Sequence, residues 1–155
     1  SYGCCAYRDD LTPVLEKIAA ADAVVLGSPI YFGNVTGEMR SLMERMLFPY
    51  LVYDESYTSL VEKKKTVGFI YTMNVPEHKL IECGYDHVIF SNKMVLKKVF
   101  GNAETLIATD TYQFSDYGQY VAPVFDAEAK AKRREAVFPV DCEKAFRMGV
   151  RLARE

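Results

Sequence analysis

Apolar and polar positions alternate in blocks that predict helices and strands in turn. Leu11, Val14, Leu15 and Ile18 recur at helical spacing, with Pro13 in the first turn and Asp10 or Thr12 as the N-cap, so residues 11–21 are expected to form a short amphipathic helix. Ala23–Gly27 is continuously apolar, which is what a parallel strand covered on both faces requires. A second helix is predicted from about Thr36 to Phe48. It places Met39, Leu42, Met43, Met46 and Leu47 on one stripe, and Pro49 stops it. A polar, tyrosine-rich connection then leads to a strand over 66–71 and to the loop Thr72-Met73-Asn74-Val75-Pro76. A helix from about Tyr85 to Phe100, stopped by Gly101, precedes a strand over 104–109, and a last helix is expected from about Asp141.

Strands alternating with helices imply an open parallel α/β sheet with right-handed crossovers. In such sheets ligands lie outside the carboxyl ends of the strands, so the connections leaving those ends carry the interest. The first is Ser28-Pro29-Ile30-Tyr31-Phe32-Gly33-Asn34-Val35-Thr36, a tight aromatic loop between strand and helix. Pro29 fixes one backbone angle, Gly33 and Gly37 let the main chain approach a ligand, and Tyr31 and Phe32 offer flat faces to a planar ring. The aromatic stretch 110–120 leaves the end of the last strand. It either lines the substrate side of the crevice or packs as a surface flap or tyrosine-rich dimer contact. The charged segment 126–135 that follows is a further helical candidate.

The run from Val24 to Gly37 resembles the second flavin-binding loop of the flavodoxin-like NAD(P)H-dependent FMN reductases, particularly the branch that includes the iron-sulfur flavoproteins. Cys5-Ala6-Tyr7-Arg8-Asp9-Asp10, the helix leading to Asp22-Ala23 and the helix reaching Glu44-Arg45 extend the likeness over the first third of the chain. The resemblance implies a flavodoxin-like open parallel sheet of order 2-1-3-4-5 with helices on both faces, in which the strands present are the third, fourth and fifth. It implies FMN as cofactor, NAD(P)H as hydride donor, and a small molecule or redox protein as electron acceptor. By the same resemblance Ser28, Pro29, Ile30, Tyr31, Phe32, Gly33, Asn34 and Thr36 would hold the isoalloxazine edge, stacked through Tyr31 or Phe32. Thr72, Met73 and Asn74 would present backbone amides and short polar groups to the ring. No catalytic side chain is assigned, because in flavin chemistry the cofactor carries the reaction.

Family members open with a strand, a Ser/Thr/Asn-rich phosphate loop, a helix and a second strand, and none of these precedes Ser1. The expectation is therefore an N-terminally truncated single domain with weakened FMN affinity, since a phosphate needs converging amides or a helix N-terminus. The apolar strand 23–27 would then be an exposed edge, covered by a partner segment, a dimer or a swap, and a homo-oligomer is expected.

Composition narrows the alternatives. At 155 residues, half of them apolar, the chain can bury one core. A net charge of −2, with Lys63-Lys64-Lys65 and Lys132-Arg133-Arg134 as solvated ends of elements, speaks against nucleic acid. No apolar stretch approaches membrane-spanning length and no leader pattern opens the chain, so a cytoplasmic protein without membrane contact is expected. Cys4, Cys5, Cys83 and Cys142 lack a disulfide framework and read as reduced thiols. Cys5 lies where relatives carry the last cysteine of a compact cluster motif, but adjacent Cys4-Cys5 is not a cluster spacing, and no metal ligand is assigned. His78 and His87 have no ligand-spaced partner and read as surface or capping residues, and Asp9-Asp10 as a helix cap. Two other functions remain open to the same sequence: a flavodoxin-type electron carrier with no nicotinamide pocket, and a flavin-free interaction module.

Overall fold

In the computed structural model, which describes residues 3–154, the chain runs α1 (Thr12–Ala20), β1 (Ala23–Tyr31), β2 (Asn34–Val35), α2 (Gly37–Leu47), β3 (Lys65–Thr72), α3 (Tyr85–Phe100), β4 (Gly101–Ala108) and α4 (Ala127–Leu152). The sheet order is β2-β1-β3-β4. β1, β3 and β4 are parallel, and β2 adds a two-residue antiparallel arm to the end of β1. This is the mostly parallel α/β sheet that the alternation of elements predicts, and the flavodoxin-like architecture that the family resemblance implies.

β3 is central, with Lys65–Phe69 and Tyr71 buried. One face of the sheet sends Leu26, Ile30, Val67, Phe69, Tyr71 and Ala103 into a core closed by Met43, Met46 and Leu47 of α2 and by Ile89, Leu96, Val99 and Phe100 of α3; Leu15 and Ile18 of α1 border it. The other face is covered by α4. A Cβ on Gly68 would sit 2.9 Å from both the Leu152 Cδ1 and the Met148 Sδ, so the missing side chain lets α4 lie close to the middle strand. Arg151 forks onto Glu104 of β4 at 2.6–3.1 Å and fixes that flank of the helix. Along Ala23–Pro29, β1 is paired only with β3, because β2 meets it at Ile30 and Tyr31 alone. That edge is open among the described residues, and Val25 is 55% exposed.

Several boundaries differ from the expected ones, each for a local reason. β1 runs to Tyr31 rather than Gly27 because Phe32 and Gly33, both at positive φ (50° and 82°), turn the chain back on itself as a two-residue hairpin. α1 is not capped by Asp10. The Leu11 N–H donates to Asp9 Oδ1 (3.1 Å) and the Asp9 N–H to Thr12 Oγ1 (3.0 Å). β4 starts at Gly101, whose φ of 111° lets the chain reverse directly out of α3. The last helix begins at Ala127, not Asp141: Asp126 caps it by accepting the Ala129 N–H at 3.0 Å, and the helix passes through Pro139. Among the described residues no helix is long and apolar enough to cross a membrane.

Gly68→Val should force α4 off the sheet, because the added atoms meet two buried side chains. A loss of about 1–3 kcal/mol is expected in urea unfolding, and an unchanged midpoint would refute the close packing of Met148 and Leu152.

Candidate functional site

The carboxyl ends of the parallel strands stop level with one another. Pro29 of β1 lies opposite Thr72 of β3, and Thr72 opposite Ala108 of β4. Beyond these positions the two later loops are zipped together. The Met73 N–H donates to the Ala108 carbonyl, the Asp110 N–H to the Val75 carbonyl and the Thr111 N–H to the Met73 carbonyl, each at 3.0 Å. Asp110 takes the left-handed conformation (φ 53°), which an Asp tolerates better than most residues.

Of the residues expected to touch a ligand, several also build the scaffold. The buried Ser28 hydroxyl donates to the Pro29 carbonyl (2.8 Å) and accepts the Thr36 N–H (3.1 Å), tying the hairpin base to the start of α2. Thr36 Oγ1 accepts the Met39 N–H at 3.2 Å as the N-cap of α2. Asn34 Oδ1 accepts the neighbouring Val35 N–H, and Ile30 faces the core. Met73 is buried and its N–H is spent on Ala108, so that amide is not free to meet a ring. The exposed members are Asn34, Tyr31, at 57%, and Phe32, fully exposed at the hairpin tip. Gly33 brings the tip over Tyr85 at the start of α3, where a Cβ would lie 3.5 Å from the ring.

Asn74 is held by a group that sequence reasoning did not single out. Lys130, in the first turns of α4, is buried, and its Nζ donates to Asn74 Oδ1 (2.6 Å) and to Asp110 Oδ1. Asp110 Oδ2 is also paired with Arg133 Nε at 2.9 Å, and Arg133 donates onward to the Thr109 carbonyl at 2.9 Å. One carboxylate therefore bridges two cations and fastens α4 to both strand-end loops. The available signal was a lysine on the helix face that also carries Val137, Asp141 and Met148. Beside this cluster, between α4 and the sheet, lies a cavity of about 420 Å³ walled by Ile70, Leu106, Ala108, Val137 and Phe138. Thr72 is the predicted site residue that reaches it.

The sequence model of the NADPH-dependent FMN reductase family matches residues 1–80. The chain belongs to that family. FMN reductases of this family use FMN as cofactor and NAD(P)H as electron donor. A stretch of 43 residues is 54% identical to an iron-sulfur flavoprotein of Archaeoglobus fulgidus, covering 28% of this chain and 21% of that protein. A stretch of 76 residues is 26% identical to an NAD(P)H-dependent FAD/FMN reductase of Geobacillus thermodenitrificans, covering 49% of this chain and 35% of that one. The fold is similar to that of an NAD(P)H:quinone oxidoreductase from Methanothermobacter marburgensis, with a TM-score of 0.56 and 16% identity over 84% of this chain and 64% of the other. The matched stretches thus span from about a fifth to under two thirds of these proteins' own lengths.

In this member of the family the strand-end residues fit the ring of the cofactor better than its phosphate. Exposed Tyr31 and Phe32 can flank a planar ring, and Asn74, half-buried, carries an Nδ2 donor with no acceptor among the described residues. The loop amides of Met73, Asp110 and Thr111 are consumed by the zipper, so they form no cradle for a dianion. An iron-sulfur cluster is not matched by the described residues, among which no three His, Cys, Asp or Glu side chains converge. Cys5 instead neighbours a cation: the Arg45 guanidinium, which also grips Asp9 Oδ1 and Oδ2 (3.0 and 2.5 Å), holds the Cys5 thiol below the usual thiol range, with the Tyr7 backbone adding to the effect.

Because its pKa is lowered, Cys5 carries more thiolate than an ordinary thiol at any pH below the usual range. Mass-resolved alkylation with iodoacetamide at neutral pH should label Cys5 ahead of the exposed Cys83 and Cys142. Arg45→Met should move the Cys5 rate profile to higher pH; an unmoved profile would remove the guanidinium as its cause.

Proposed function

We propose that this chain binds FMN at the carboxyl ends of β1 and β3 and serves an oxidoreductase that takes hydride from NAD(P)H and passes electrons to a small molecule or a redox protein. The reading is supported above all by one coincidence: an exposed aromatic hairpin and an unspent amide donor, Asn74 Nδ2, leave the same end of a parallel sheet in a chain of this family. FMN, when bound, supplies the acceptance of hydride and the release of electrons. The chain's own residues bind and orient. Tyr31 or Phe32 covers a ring face and keeps water from it, the Ser28–Thr36 junction holds the hairpin against α2, and Asn74 donates to a ring acceptor. No side chain here is needed as an acid or base. A cytoplasmic location and a second copy covering the open Ala23–Pro29 edge belong to the same proposal.

The test is a titration of the purified chain with FMN, followed by flavin fluorescence. Quenching that saturates, and a yellow colour bleached by NADPH or NADH, is the expected result. Binding without bleaching would leave an electron carrier, and no quenching at any concentration would sink the assignment of FMN to this end of the sheet. Tyr31→Ala should weaken FMN by about 2- to 12-fold, the range for loss of one aromatic contact.

A further inference from the structure

We propose that Lys130 sets the orientation of the Asn74 side-chain amide and thereby makes Asn74 a dedicated hydrogen-bond donor to an acceptor on the flavin ring, a carbonyl or unprotonated nitrogen of its pyrimidine edge. The inference rests on the FMN reading above and adds a residue from α4 that contacts no cofactor itself.

A primary amide has two faces of opposite polarity, and which one meets a ligand is decided by its neighbours. An ammonium has three donors and no acceptor, so Lys130 Nζ, 2.6 Å from Asn74, can be met only by Oδ1. The flipped amide would set its NH₂ against the ammonium, donor to donor, and lose a charge-assisted bond. The ammonium in turn cannot move aside. It is buried, paired with Asp110 Oδ1, 3.5 Å from the Thr111 carbonyl and 5.4 Å from the centre of the Phe125 ring. Asp110 is fixed independently by Arg133 at 2.9 Å and by its own N–H on the Val75 carbonyl. The two ends of the chain of contacts are therefore anchored, and Nδ2 of the half-buried Asn74 is left pointing away from Lys130, without an acceptor among the described residues. A site meant for a donor-bearing ligand edge would need the opposite face. Asn74 as held here complements carbonyl oxygens.

The experiment uses the full chain labelled with ¹⁵N, the side-chain amide pair of Asn74 being assigned by its disappearance in Asn74→Asp. Titration with FMN should shift that pair in step with the fluorescence quenching. In Lys130→Met, where Asp110 keeps Arg133 as partner, the pair should broaden as both orientations become populated, and FMN affinity should fall about fivefold. Lys130→Arg, which still offers only donors to Oδ1, should restore most of the affinity; a merely structural tie between α4 and the loops would not produce this link to the Asn74 signal. Asn74→Asp keeps the partner of Lys130 but presents an acceptor, and should lose FMN affinity to a similar degree even if Lys130→Met does not fold. FMN that binds the wild type without moving the Asn74 pair, or that binds Asn74→Asp as well as the wild type, overturns the inference while the FMN reading stands. No FMN binding by the wild type overturns both.

Discussion

Pro29, Thr72 and Ala108 end side by side in the parallel register, and a parallel sheet leaves the amides and carbonyls beyond its last rung to be satisfied by whatever loops follow. Here the loops after β3 and β4 satisfy one another, through Met73, Val75, Ala108, Asp110 and Thr111. That choice consumes the N–H groups of Met73, Asp110 and Thr111 and shifts recognition toward side chains. It also requires the left-handed turn at Asp110, which aims its carboxylate toward α4.

The buried Lys130 follows from that turn. An ammonium in the interior is costly unless its donors are matched, and the carboxylate of Asp110, the amide of Asn74 and the carbonyl of Thr111 match them. Because Asp110 is shared with Arg133, the charge is not staked on a single pair. The same cluster therefore satisfies three requirements at once: it closes the strand ends, docks the first turns of α4, and leaves Asn74 with one defined face.

Much of this architecture was legible in the sequence. The central strands and α2 and α3 followed from apolar runs and helical stripes, since burial on two faces or one leaves an unmistakable period. The hairpin did not, because β2 has only two residues and its turn is Phe32-Gly33 rather than the Asn-Gly or Asp-Gly that usually marks such a reversal. The first half of α4 was legible as a charged helical candidate over 126–135, but its continuity with the helix from Asp141 was hidden by Pro139, although a helix held on both sides can absorb one missing N–H. Within the site, the aromatic pair Tyr31 and Phe32 could be read from residue type alone. The roles of Ser28 and Thr36 could not, since a hydroxyl that closes a junction and one that meets a ligand look alike until their partners are known. The partners of Lys130 were beyond reach for a deeper reason: its three oxygen acceptors lie 19 to 56 residues away.

α4 is held by charge at both ends, through Lys130 and Arg133 at one and Arg151 on Glu104 at the other, but only the C-terminal end is also held by close packing on the sheet. Near its C-terminus Met148 and Leu152 fill the space that Gly68 leaves open, an interaction of shape that any added atom disturbs. Near its N-terminus Lys130 and Arg133 hold it by charge, an interaction that tolerates changes in volume but not in polarity. Lys130 and Met148 are about 27 Å apart along the helix at 1.5 Å per residue, too far to share a partner, so disturbances at the two ends act independently. Packing at Gly68 therefore governs whether the helix covers the sheet. The charge cluster governs what the strand ends offer to a ligand, so the sequence can vary one without rewriting the other.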